Sequence, residues 1–275
     1  MKFVQRVAIA ISMVGLLLPT IAFSQVYFED FESSQVGDAV GSTGISSDFS
    51  SILIQQNGVN GSNGFEVEAP NLNSSLTGVL PVLFGINQVG DHLTFSVDAS
   101  VTLSGPGATS FHEDIFGLSV RGDQFAEGRF AVDNDPSTYI AAVVHDNPLA
   151  FFSGPPSPVN DIGLINGISG TSDFFRFQID IVKRGTADYD FTSSIFDVAS
   201  NTQFIENRVE GINLDQVFAG NGFDPTIATN LFFLDTPVWD SIRFDNIRYQ
   251  VVSVPEPNAL ALLALTLPIC FRRKR

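Results

Sequence analysis

The sequence is 275 residues long, with 30 acidic against 14 basic side chains, a net charge of −16 and a single cysteine. A lone thiol excludes a disulfide scaffold and any zinc site built on cysteines, and so acidic a balance excludes nucleic acid, whose phosphates need cations. Stability must then come from core burial, for which 26 phenylalanines supply the apolar area.

At the N-terminus, Lys2 and Arg6 precede an apolar run from Val7 to Leu18 that Pro19 ends. Ala22 and Ser24 put small residues at the −3 and −1 positions before Gln25, which is the pattern of a cleaved secretory signal spanning residues 1–24. The apolar run is too short to span a bilayer comfortably, which argues against a retained anchor helix.

The body, residues 25–253, is dominated by period-2 alternation. Val26 to Phe31 and Phe49 to Gln55 read as strands, and Phe65 and Val67 alternate with Glu66 and Glu68. Leu93, Phe95, Val97, Ala99, Val101 and Leu103 alternate with Thr94, Ser96, Asp98, Ser100 and Thr102, which predicts a long strand with one buried face. Phe116, Leu118 and Val120 repeat the pattern, and so do Phe175, Phe177, Ile179 and Ile181 against Arg176, Gln178 and Asp180. Tyr139 to His145, Tyr189 to Val198 and Leu231 to Leu234 complete the set, while Asn213 to Ala219 is patterned for one or two helical turns. Clusters such as Asn57 to Gly64, Gly105-Pro106-Gly107 and Gly154 to Asn160 are loops by turn chemistry. About a dozen alternating strands predict an all-β fold, a two-sheet antiparallel β-sandwich.

In the closing strand the apolar phase changes. Ile242 and Phe244 are apolar at even positions, but Ile247, Tyr249 and Val251 at odd ones, so a β-bulge is expected at Asp245-Asn246. The opening Phe28-Glu29-Asp30-Phe31-Glu32 with Val36-Gly37-Asp38, and the closing Ile242 to Tyr249, resemble the terminal strands of concanavalin A-like and carbohydrate-binding-module jelly rolls. That resemblance implies a jelly roll whose first and last strands lie side by side. It also implies a structural calcium held by Asp30, Glu32 and Asp245, hard oxygen ligands of the kind calcium takes. The alternative is that Asp245-Asn246 makes the bulge and the opening acids are solvated.

After Ser253 the pattern breaks. Val254, Pro255, Glu256 and Pro257 cannot continue a strand. An apolar stretch from Ala259 to Phe271, interrupted by Pro268, leads to Arg272, Arg273, Lys274 and Arg275. As a helix it would rise roughly 20 Å, short of a ~30 Å hydrocarbon core, with the four cations on the cytoplasmic side. This order of Val-Pro-Glu-Pro, apolar helix and terminal cations resembles the PEP-CTERM sorting signal, here residues 254–275. The resemblance implies Sec export, transient inner-membrane association through the C-terminal helix, and removal of that helix by a membrane-embedded exosortase. It implies a Gram-negative-type bacterium that makes exopolysaccharide, and a final place at the cell surface or in the extracellular matrix. Removing both signals takes away Cys270 and leaves 29 acidic against 8 basic residues, with Lys183 the one lysine.

No catalytic constellation emerges. Glu66 and Glu68 share a strand face about 7 Å apart along the strand, which makes a divergent glycoside hydrolase or polysaccharide lyase the rival reading; a purely structural envelope protein is the third. His92, His112 and His145 occupy separate segments and form no zinc motif. Asp133-Asn134-Asp135 lacks the glycine and glutamate of a calcium loop, and Arg121-Gly122-Asp123 is a strand-to-turn junction. Trp239, the single tryptophan, is the leading sugar-stacking residue, followed by Tyr139 and Tyr189. The expectation is a non-catalytic exported protein that binds exopolysaccharide.

Overall fold

Alternation of apolar and polar residues builds two antiparallel sheets. The computed structural model describes residues 23–68, 76–82, 84–103, 113–121, 125–133, 139–145, 174–212, 224–229 and 239–254. Its strands are β1 (Phe23–Glu29), β2 (Ser46–Ser47), β3 (Ile54–Gln55), β4 (Gly64–Glu68), β5 (Leu76–Val79), β6 (His92–Leu103) and β7 (Glu113–Arg121). There follow β8 (Phe125–Asp133), β9 (Tyr139–His145), β10 (Phe175–Lys183), β11 (Tyr189–Asp197), β12 (Gln203–Ile212), β13 (Asp224–Thr229) and β14 (Trp239–Ser253). The larger sheet runs β12-β11-β10-β6-β14-β4-β3, with β1 also paired to β14, and the smaller runs β2-β5-β13-β7-β8-β9. No helix among the described residues is long and apolar enough to cross a membrane.

The first and last strands lie side by side: Phe23 pairs with Ser253 and Glu29 with Ile247. On its other edge β14 pairs along its length with β6, and its N-terminal half also pairs with β4. The change of neighbour from β4 to β1 falls at the Asp245-Asn246 phase slip. There the register shifts between Asp245 and Arg248 and Asn246 adopts φ 47°, so one extra residue re-aims the strand.

One apolar core joins the sheets, from Phe95, Val97, Phe177, Ile179 and Tyr249 of the larger to Leu118, Val120 and Ile227 of the smaller. Phe65 stands 5.4 Å from Phe31, 5.4 Å from Phe49 and 5.2 Å from Phe244 between ring centroids. These are spacings at which aromatic pairs add to the area they bury.

Some elements differ from the sequence reading. Residues 49–55 are not one strand: Asp48–Ser51 forms a 3₁₀ turn, and only Ile54–Gln55 pairs as β3. The cause is Asp48, whose Oδ2 accepts the Thr77 N–H at 2.9 Å and the Thr77 hydroxyl at 3.1 Å, turning the chain beneath β5. The opening strand starts at Phe23, two residues before the expected cleavage point, and stops at Glu29 because Phe31 sits at φ 59°. β5, β8, β12 and β13 carry no clean alternation and escaped the pattern. Leu231 to Leu234, the helical patterning at Asn213 to Ala219 and both terminal signal helices lie outside the described residues.

Candidate functional site

The outward face of the larger sheet is assembled by register. β10 pairs with β6 so that Arg176 faces Asp98, Gln178 faces Ser96 and Asp180 faces Thr94. On the other side of β6, β14 sets Arg248 opposite Ser96 and Gln250 opposite Thr94, and β1 sets Phe28 opposite Arg248 and Val26 opposite Gln250. Two rows therefore cross four strands, Gln178–Ser96–Arg248–Phe28 and Asp180–Thr94–Gln250–Val26. At ~4.8 Å between strands each row spans roughly 14 Å.

The middle of this face is as buried as the core. Ser96 is 3% exposed, and Asp98 and Ser100 are fully covered, although they point away from the apolar interior. Side chains from both neighbouring strands cover them. Arg176 donates Nε to Asp98 Oδ1 at 2.8 Å and Nη2 to Oδ2 at 3.1 Å, and Asn246 Nδ2 adds a third bond to Oδ2 at 3.1 Å. Arg243 donates to the Ser100 hydroxyl at 2.7 Å and lies 5.2 Å from the centroid of the Phe174 ring. Burial pushes the Asp98 carboxyl above the usual carboxylate range; the Arg176 ion pair and the Asn246 amide pull it back without overcoming burial. Asp180 closes the lower end, accepting from Thr94 at 2.7 Å and Gln178 at 2.6 Å, with His92 Nε2 at 2.9 Å.

Between these walls lies a pocket of about 520 Å³, lined by Thr94, Ser96 and Asp98 of β6, Arg176 and Gln178 of β10, Asn246, Arg248 and Gln250 of β14, Phe28 of β1, and Val198. That is the size range of small-ligand sites. Phe28 remains 53% exposed at its rim, an aromatic ring that the core does not claim. Planar amides, guanidinium groups and one open aromatic ring can bond the hydroxyls of a polar ring while covering its apolar side.

The residues expected to carry function fall elsewhere. Asp30, Glu32 and Asp245 are not drawn into one cluster: among the described residues no three His, Cys, Asp or Glu side chains group as they would to hold a metal ion. Asp30 accepts the Glu32 N–H at 3.2 Å, and Glu32 accepts the Asn63 N–H at 2.7 Å. Asp245, 1% exposed, accepts from the Val59 N–H at 2.8 Å and the Ser62 hydroxyl at 2.7 Å. Each carboxylate accepts from a backbone N–H. Tyr189 is wholly buried with Lys183 Nζ 5.1 Å from its ring centroid, so it is not an exposed sugar-stacking residue. Trp239 begins β14 opposite Leu103, and Tyr139 begins the edge strand of the smaller sheet, so their backbones belong to different sheets. Glu66 faces Arg243 and Glu68 faces Ser241 on β4, and neither lines the pocket. Val254 ends the described chain, its N–H held by Asp91 Oδ1 at 3.1 Å, while Pro255, Glu256, Pro257 and Arg272 to Arg275 lie outside the described residues.

The sequence reading missed Phe28, Arg176, Asn246, Arg248 and Gln250 as site residues. The polar positions of the β6 and β10 alternations were visible, but nothing local says that those two strands are neighbours.

No protein-family model matches the sequence, and no curated protein matches it. Among solved structures, the chain is similar to alginate lyase Aly36B, at 12% identity and a TM-score of 0.51, over 82% of this chain and 96% of that one. It is likewise similar to an endo-1,3-beta-glucanase from Streptomyces sioyaensis, at 11% identity and a TM-score of 0.51, over 83% and 96%. At such identities the likeness is one of fold: an antiparallel two-sheet jelly roll.

Proposed function

We propose that this is an exported, non-catalytic surface or matrix protein that binds glycan on the outward face of its larger sheet. The observation that carries the reading is the pocket along β10, β6, β14 and β1, where Phe28 stays open to solvent beside a hydrogen-bonded array of polar side chains. Support comes from the fold, shared with proteins whose names record action on polysaccharides. Export rests on the signal-like residues 1–24 and the sorting-like residues 254–275. β14 ends at Ser253, where the sorting segment is expected to start, so its removal would leave the sheets untouched.

Two measurements test the proposal. On a glycan array the full chain should bind, and Phe28→Ala should weaken that binding about tenfold, the loss of one partly exposed aromatic contact. Background signal throughout, or binding indifferent to Phe28, would count against the site. Intact mass of the protein from the producing cell's surface should show loss of residues 1–24 and of a C-terminal segment carrying Arg272 to Arg275; a mass that retains both ends would sink the sorting reading. Turnover on a polysaccharide panel, abolished by Glu66→Gln or Glu68→Gln, would instead promote the hydrolase or lyase alternative.

A further inference from the structure

The pocket departs from the rest of the molecule in charge. The whole chain carries −16, yet the pocket lining holds Arg176 and Arg248 against the single acid Asp98. Arg176 is committed to Asp98 through two bonds. Arg248 is not so committed: Nη2 donates at 2.6 Å to Gln250 Oε1, a neutral acceptor, and no carboxylate among the described residues lies within ion-pair distance of it. A guanidinium has five donors in a planar fork that fits a carboxylate through two parallel bonds. In a chain with this excess of acids, Arg248 is an exposed arginine with no carboxylate partner among the described residues.

The position of Arg248 adds a second constraint. It is paired directly across the ladder with Phe28, so their Cβ atoms stand about 5 Å apart on one face. An apolar ring and a guanidinium with donors left for a carboxylate are therefore presented side by side, with Gln178, Gln250 and Asn246 around them.

From this we infer that the ligand is an acidic glycan whose sugar rings carry carboxylates, one of them held by Arg248 while its ring lies against Phe28. The inference rests on the glycan-binding reading of the same pocket. The overall negative charge does not forbid it. At physiological ionic strength the Debye length is ≈ 8 Å, so acids elsewhere on the surface are largely screened, whereas a direct guanidinium–carboxylate contact is not.

The test uses the full chain and three probes in calorimetry at physiological salt: oligogalacturonate, its fully methyl-esterified form, and dextran sulfate. The expected result is that the acid binds about tenfold more tightly than the ester and more tightly than the sulfate. Arg248→Gln should bring the acid down to the ester's affinity, weakening the acid far more than the ester, and Phe28→Ala should weaken both. Arg248→Lys should recover only part of the preference, because a point charge cannot form the fork. An ester bound as well as the acid would overturn the inference and leave glycan binding standing. Sulfate bound as tightly as carboxylate would overturn it in favour of unspecific charge. No binding by any of the three probes would overturn it too, and if the glycan array is also blank the glycan-binding reading falls with it.

Discussion

Asp98 shows how a polar residue on a strand's outward face comes to behave like a core residue. Two arginine donors and one amide satisfy its carboxylate, and burial still raises its pKa. Arg176→Ala would strip the cation and leave a covered negative charge with Asn246 as its remaining described donor. Breaking a buried pair costs several kcal/mol; about 3 is expected here, because the Arg176 side chain keeps 35% exposure. The pH dependence follows from linkage. Without Arg176 the folded-state pKa of Asp98 rises further above its unfolded value of ≈ 3.9, so the folded form holds the proton more tightly. The variant should lie close to wild type near pH 4 and lose stability as pH rises through the folded pKa. Urea midpoints at pH 4 and pH 7 check this; an equal deficit at both would refute it. Asp190 is the opposite case. Burial alone would raise its carboxyl, but Arg184 and Arg208 together outweigh burial and hold it below the ordinary range. Its contribution is present above about pH 4 and fades as pH falls through its depressed pKa, so Asp190→Asn should cost stability at pH 7 and progressively less as pH falls below about 4, as urea midpoints across that range would show.

At the scale of elements, the bulge in β14 anchors a loop. Asp245 Oδ2 takes both the Val59 N–H and the Ser62 hydroxyl, while Oδ1 takes the Asn246 N–H. One carboxylate thus ties the 58–62 turn to the point where β14 exchanges β4 for β1. The turn approaches so closely that a Cβ on Gly58 would stand 2.6 Å from Asp245 Oδ2. Asp245→Ala removes the acceptor of the part-buried Val59 N–H, while the Ser62 hydroxyl keeps the Val59 carbonyl, and should cost about 1–3 kcal/mol. Amide exchange at Val59 should accelerate well beyond the global change; unchanged protection there would show that the tie contributes nothing. Gly78 is a similar close fit, since an added Cβ would meet the Phe49 ring at 2.2 Å. Gly78→Ala therefore forces β5 away from the 3₁₀ turn, at a cost of about 1–3 kcal/mol by overpacking.

For the molecule as a whole, β14 is the strand on which the larger sheet depends, bonded to β6 along one edge and to β4 and β1 along the other. Phe244 projects from it into the Phe31, Phe49 and Phe65 cluster. Because one apolar core joins both sheets, the two should unfold together. Phe244→Ala should cost about 3–5 kcal/mol and keep a single transition, seen alike by circular dichroism and by Trp239 fluorescence. Two separated transitions would contradict the single core. β1 contributes differently, since among the described strands it pairs with β14 alone. Its exposed Val26 and Phe28 lie on the proposed binding face, so trimming it should weaken glycan binding as well as remove a strand.

Much of this architecture is legible along the chain because it depends on neighbours in sequence. Alternation at 93–103 and 175–183 marks strands and names their buried faces, and the phase change around Asp245-Asn246 locates the bulge. Polar-rich β12 and glycine-broken β8 have no such period to display. The site is another matter. Arg176 and Asp98 are 78 residues apart, and Phe28 and Arg248 are farther still, yet the sheet sets each pair face to face. Calcium at Asp30, Glu32 and Asp245 is plausible from residue type alone, whereas the fold gives each of these carboxylates a backbone N–H to accept from. Residue pattern determines which side chains leave the core; only strand order and register decide which of them meet, because hydrogen-bonded pairing across β10, β6, β14 and β1 is a non-local choice that no single strand encodes.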